Sequence, residues 1–214
     1  MIHSIGKHRV QCQDIMGGID ELMQGEQADL IYSDPPWGQG NLKYWQTINK
    51  RHTGAETQQI EYEKFLTFLF GIFQKYAKDC VVIEYGEKWR NDVIQRVSEF
   101  GFQHGGVTTS FYGNAKKLLP LDVHVFSKSG LYNIDAEFID GCKTHRGGNL
   151  SKFIFEKMLS SDVKQSKMGI VLDPMCGMGY TAQAAIKYGL AFRGNELNSV
   201  RLQKTIDRLH RDCS

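Results

Sequence analysis

Gly169-Ile170-Val171-Leu172-Asp173-Pro174-Met175-Cys176-Gly177-Met178-Gly179-Tyr180-Thr181-Ala182-Gln183-Ala184-Ala185 reads as a strand, a tight turn and a helix. The short apolar run suits a buried parallel strand. Gly177 and Gly179 let backbone approach a ligand closely, and Ala182, Ala184 and Ala185 let the helix pack tightly on the sheet. A second strand, Leu190–Gly194, leads to Glu196, an acid placed to accept both ribose hydroxyls of an adenosine. Such strand–helix–strand units build an α/β fold. The Gly177-x-Gly179-x-x-Ala182 spacing also satisfies the dinucleotide fingerprint, so a nicotinamide or flavin site and a ligand-free turn are alternative readings.

Outward from this unit, short apolar runs alternate with helical patterns, as in a mainly parallel sheet covered by helices. Seven strands are expected: Arg9–Cys12, Leu30–Ser33, Val81–Glu84, Val107–Phe111, Val123–Ser127, Ile170–Leu172 and Ala191–Gly194. Helices are expected over Tyr62–Lys78, Trp89–Phe100, Ser151–Ser160, Tyr180–Tyr188 and Ser199–Arg211, with Gly101 and Gly189 as stops and Asn198 as an N-cap. The polar loop Gly113–Lys117 is too short for a helical crossover, so its flanking strands read as an antiparallel edge hairpin. Gly38–Ile60 and Ser129–Asn149 read as irregular, and irregular stretches of that length are usually functional or disordered.

A second informative stretch is Ala28-Asp29-Leu30-Ile31-Tyr32-Ser33-Asp34-Pro35-Pro36-Trp37. Two prolines fix φ, so the strand ends by presenting a carboxylate, backbone carbonyls and a flat ring together. Oxygens that accept N–H bonds beside a stacking ring suit a planar amine. Taken with the glycine turn downstream, this points to methyl transfer onto an amino group.

The 214 residues, 41% hydrophobic and 23% charged, suit one domain spanning 1–214 with a full-sized core. A net charge of +2 gives no overall basic field, so nucleic-acid contacts must come from local patches. Five scattered cysteines without a CxxC pair favour reduced thiols over a disulfide framework and carry no zinc signature; no metal is expected. No apolar signal stretch opens the chain, and Phe65–Phe73 is too short to span a bilayer. A soluble, cytoplasmic protein is expected.

Asp34-Pro35-Pro36-Trp37 and Asp173-Pro174-Met175-Cys176-Gly177-Met178-Gly179, with Asn195-Glu196-Leu197-Asn198 and Gln13-Asp14, resemble the S-adenosylmethionine-dependent amino-group DNA methyltransferases. The similarity is to the permuted group, in which the catalytic motif precedes the cofactor motif, and it covers most of the chain. It implies a Rossmann-like methyltransferase fold: a seven-stranded mixed sheet with an antiparallel edge hairpin and helices on both faces. It implies that Asp173, Gly177 and Gly179, with Pro174, Cys176 and the catalytic Asp34 beside them, line the methionine part of the cofactor. Glu196 would bind ribose, Asp14 the adenine, and Thr181 the methionine carboxylate. Asp14 as a helix-capping acid and Thr181 as a simple helix-start residue stay open. Trp37 departs from the tyrosine or phenylalanine commoner in the DNA enzymes and resembles the mRNA adenosine methyltransferases. Thr144–Ser151 lacks the family's usual wording, and there is little room for a target-recognition domain, which leaves a homodimer or a separate specificity partner open.

The resulting expectation is a DNA adenine-N6 methyltransferase with Asp34, Pro35, Pro36 and Trp37 as its catalytic set, holding a base flipped out of the stack. Cytosine N4, RNA adenosine and a non-catalytic nucleic-acid-binding subunit are the alternatives. Nucleic-acid contacts are expected from Lys43, Tyr44, Trp45, Lys50 and Arg51, from Lys116 and Lys117 at the hairpin tip, and from Arg146. Each cluster equally suits a solvated loop.

Overall fold

The computed structural model describes residues 2–55, 57, 59–114, 117–159 and 169–212. In chain order the elements are β1 (Ile2–Ile5), β2 (His8–Cys12), α1 (Asp20–Met23), β3 (Ala28–Ser33), α2 (Gln39–Thr53), α3 (Tyr62–Tyr76), β4 (Ala77–Tyr85) and α4 (Arg90–Glu99). There follow β5 (Gln103–Asn114), β6 (Lys117–Ser127), α5 (Ala136–Thr144), α6 (Gly148–Met158), β7 (Ile170–Asp173), α7 (Tyr180–Lys187), β8 (Ala191–Glu196) and α8 (Ser199–Asp212).

One sheet runs β1-β2-β8-β7-β3-β4-β6-β5. Every pairing from β2 to β4 is parallel, while β4–β6, β6–β5 and β1–β2 are antiparallel. The sheet therefore has eight strands, not the seven expected. The extra one, β1, pairs Ile5 with His8 across the Gly6-Lys7 turn. Its four residues, two of them polar, are too few to show periodicity, and its partner strand holds it in place.

Strand residues alternate between two cores. Leu30, Tyr32, Cys80 and Val82 face a cluster covered by α5, α6, α7 and α8. Ala28, Ile31, Val81 and Ile83 face another, covered by α1, α3 and α4 with Leu42 of α2. Helices thus lie on both faces. The chain leaves β3 toward β4 but leaves β7 toward β8, so connections diverge between β3 and β7. A crevice at the carboxyl ends of strands forms at such a switch point.

Four expectations need correction. Gly38–Ile60 is largely helix α2, which buries only Leu42 and Asn49, so it carries no apolar stripe to read. Its basic last turn, Lys50-Arg51-His52, complements the helix dipole. Helix α5 lies inside the expected irregular stretch Ser129–Asn149, and the Asp135 side chain caps it by accepting from the Phe138 N–H at 2.7 Å. Helix α3 stops at Tyr76 because Ala77 turns extended and starts β4, where Lys78 pairs with Asp29 at 2.6 Å. The hairpin strands run through Gly113, Asn114 and Lys117, where a loop was expected. No helix among the described residues is long and apolar enough to cross a membrane.

Phe155 of α6 is fully buried, its ring centroid 5.9 Å from that of Tyr32. Phe155→Ala is expected to cost about 3–5 kcal/mol, and at about 2–4 °C per kcal/mol for a chain of this size thermal unfolding will register it plainly.

Candidate active site

Strands β2, β3, β4, β7 and β8 end at one edge of the sheet, and each brings an acid to it: Asp14, Asp34, Glu84, Asp173 and Glu196. They line a single cavity of about 530 Å³. Pro35, Pro36, Trp37, Cys176, Gly177, Thr181 and Trp45 share its wall, so the two motifs far apart in sequence meet there.

The Asp34–Trp37 segment is tied down from several sides. The Trp37 N–H donates to Asn41 Oδ1 at 3.1 Å, and the Pro36 carbonyl accepts from the Tyr62 hydroxyl at 2.8 Å. The Trp37 ring, half-buried, meets Tyr112 edge-on at 5.2 Å. Its indole N–H has no hydrogen-bond partner of good geometry, yet it stands near enough to favour the charged form of Asp34.

The glycine turn is knitted to the end of β8. The Glu196 carboxylate accepts from the Gly177 N–H at 2.8 Å and from the Asn198 N–H at 2.9 Å. Asn195 receives the Cys176 N–H on its carbonyl and donates its side-chain amide to the Pro174 carbonyl. Asp173 accepts from the Met175 N–H at 3.1 Å and from the Thr181 hydroxyl. Thr181 therefore spends its donor on Asp173. Asp14 accepts from the Met16 N–H at 3.0 Å, as the capping reading expects, and it also lines the cavity.

Pro174 and Gly179 stand behind the wall. Gly179 has φ +80°, and a Cβ on it would lie 2.8 Å from Thr205 Oγ1 of α8. Its glycine is demanded by backbone conformation and helix packing. Lys43, Tyr44, Lys50 and Arg51 lie on α2 rather than on a loop, outside the cavity lining. Lys117 is exposed on the hairpin, and Lys116 lies outside the described residues. Arg146 packs over Phe111 at 5.1 Å and donates to its own neighbourhood's carbonyls, Lys143 and His145.

Two charged wall residues, Glu84 and Arg201, are not singled out as site residues by the sequence. Glu84 directly follows the apolar run Cys80–Ile83 of β4, beside β3, and that position near the strand tip was the available signal. Arg201 of α8 stacks its guanidinium over Trp45 of α2 at 4.6 Å, a contact between segments with no sequence signal.

The site's electrostatics follow from crowding. Asp34 is open to the cavity but deep in the fold, and its carboxyl is pushed well above the usual range. Burial is the largest cause, followed by the Glu84 and Asp173 charges; Arg201 opposes them. Burial likewise raises Glu84, against the hydroxyl of Tyr32. Asp173 is pushed up to about 7, chiefly by burial. Such a cavity suits a cation at its acidic wall and an amine at the Asp34 end. Among the described residues no group of three or more His, Cys, Asp or Glu side chains is placed so that it could hold a metal ion.

Gly179→Ala is expected to lower the melting temperature by several degrees, through about 2 kcal/mol of strain and collision with Thr205. Ligand affinity measured well below that temperature should hold, because Gly179 is not on the wall.

No family model and no curated protein sequence matches the chain. Solved structures do. M1.HpyAVI aligns at a TM-score of 0.62 with 17% identity, covering 94% of this chain and 98% of that one. TTHA0409 of Thermus thermophilus, complexed with S-adenosyl-L-methionine, aligns at 0.62 with 18% identity over 96% and 94%. The PvuII DNA methyltransferase, cytosine-N4-specific, aligns at 0.63 with 14% identity over 95% and 89%. The chain has the fold of these proteins along nearly its whole length.

Proposed function

We propose that the chain is a methyltransferase that uses S-adenosylmethionine to methylate the exocyclic amine of a nucleic-acid base, and that its substrate is adenine N6 in DNA. The observation that carries this reading is the shared cavity, in which the Asp34-Pro35-Pro36-Trp37 segment and the Asp173–Gly177 turn face one space. Fold neighbours complexed with S-adenosyl-L-methionine, and one named a DNA methyltransferase, support it. Asp34 favours adenine, since serine is commoner in the cytosine enzymes of the resembled group. A cytosine-N4-specific neighbour keeps that base as the second reading.

The donor fits the acidic wall, where its sulfonium and ammonium charges would offset buried carboxylates; bound there, it supplies an electrophilic methyl group. Asp173, Gly177 and Glu196 would hold it, with Asp14 toward the adenine. An exocyclic amine is a poor nucleophile because its lone pair is spread into the ring. Asp34 and the Pro35 carbonyl accept its N–H bonds, favour a pyramidal nitrogen and aim the lone pair. Trp37 holds the base by its face after the base leaves the stack. Positioning and fixed dipoles then supply most of the acceleration. Basic residues of α2 and the hairpin, with Arg146, are proposed to carry phosphate contacts.

Asp34→Ala should cut labelled-methyl transfer to DNA by about a thousandfold while donor affinity changes little. Mass analysis of the labelled nucleoside separates N6-adenine from N4-cytosine, and label entering only RNA or protein would sink the DNA reading. Donor affinity should also fall as pH drops below about 7, where Asp173 takes up a proton and loses its charge. The dissociation constant is expected to rise by up to about tenfold per pH unit, and Asp173→Asn should flatten that dependence.

A further inference from the structure

The last paired residues of β3 and β4 are Ser33 and Ile83, so Asp34 and Glu84 come next on adjacent parallel strands. Both face the cavity. The Tyr32 hydroxyl donates to Glu84 Oε1, and Ser151 of α6 in turn supports Tyr32, which is 3% exposed. This Ser151–Tyr32–Glu84 chain aims an acid at the amine end of the cavity, and a linked chain of this kind polarises its members. An acid with no task would not ordinarily be kept beside Asp34, because two ionised carboxylates side by side repel.

We propose that Glu84 and Asp34 form a carboxyl pair that takes up the proton released by the methylated amine, with Asp34 contacting the amine and Glu84 the positioning partner. The proposal rests on the methyltransferase reading above. In the step, the nitrogen lone pair forms the N–CH3 bond while the CH3–S bond breaks, its electrons staying on a now neutral sulfur. The nitrogen becomes cationic, one N–H proton passes to Asp34, and the N–H electron pair returns to nitrogen. A pair already sharing one proton carries a single negative charge, so it balances the sulfonium before the step and ends neutral after it. Facing the pair are Tyr32 from β3, Ser151 from α6, Cys142 from α5, Asp173 from β7 and Arg201 from α8, while β6 contributes uncharged Leu121 and Val123. Arg201 is the single cation among these groups, so it does not neutralise all three acids.

Titration of carboxyl carbon-13 signals in the intact protein tests the pair without reference to substrate. Wild type should show Asp34 titrating in two linked steps. In Glu84→Gln the upper Asp34 step should fall by about a pH unit, because the nearest negative charge is gone while that of Asp173 remains. In Tyr32→Phe the upper step should move to higher pH, because the charged form of Glu84 loses its donor. The acid limb of the kcat profile should follow, with kcat of Glu84→Gln down about tenfold and donor affinity unchanged. One Asp34 step at the same pH in wild type and Glu84→Gln would overturn the pair, and so would an unmoved acid limb. Should Glu84→Gln fail to fold, Tyr32→Phe decides through the direction of its shift. Linked titration in a protein that methylates no nucleic acid would support the pair and discard the substrate reading.

Discussion

Asp34, Glu84, Asp173 and Glu196 converge on one cavity, and like charges in poorly solvated surroundings repel. The local structure answers this repulsion at three of the four acids. Glu196 is held by two backbone N–H groups, Asp173 by Thr181 and Met175, and Glu84 by Tyr32. Among the described residues Asp34 keeps the fewest protein donors, and it lies open to the cavity.

The same bonds carry the architecture. Glu196 joins the glycine turn to the start of α8, and the Thr205 hydroxyl donates to the Gly177 carbonyl from that helix. Helix α8 in turn delivers Arg201 to the cavity and stacks it on Trp45 of α2, which also lines the cavity. A polar helix with so small an apolar stripe is held by Leu42 in the core, by hydrogen bonds of Gln39 and Asn41 near its start and by the Arg201–Trp45 stacking.

The strand–turn–helix around Gly177 and the proline-bounded strand end at Asp34 were legible in the sequence because their chemistry is local. Proline fixes φ, glycine permits a left-handed turn, and apolar runs mark strands. Helix α2 was not legible because it lacks periodicity, nor was β1, because four residues carry none. For the same reason the helical setting of Lys43 and Arg51 is not legible locally. The close approach of Gly179 to Thr205 is likewise not legible locally, because it requires knowing where α8 lies.

Residue order alone therefore established an α/β chain with two chemically distinct motifs and an acid at the tip of most parallel strands, since backbone preference and hydrophobic pattern act over short distances. That those motifs share one cavity, that Glu84 stands beside Asp34, and that Arg201 faces them from α8 was decided by tertiary structure. Strand order in the sheet, set by the burial of two opposite faces, is what turns separation along the chain into adjacency in space.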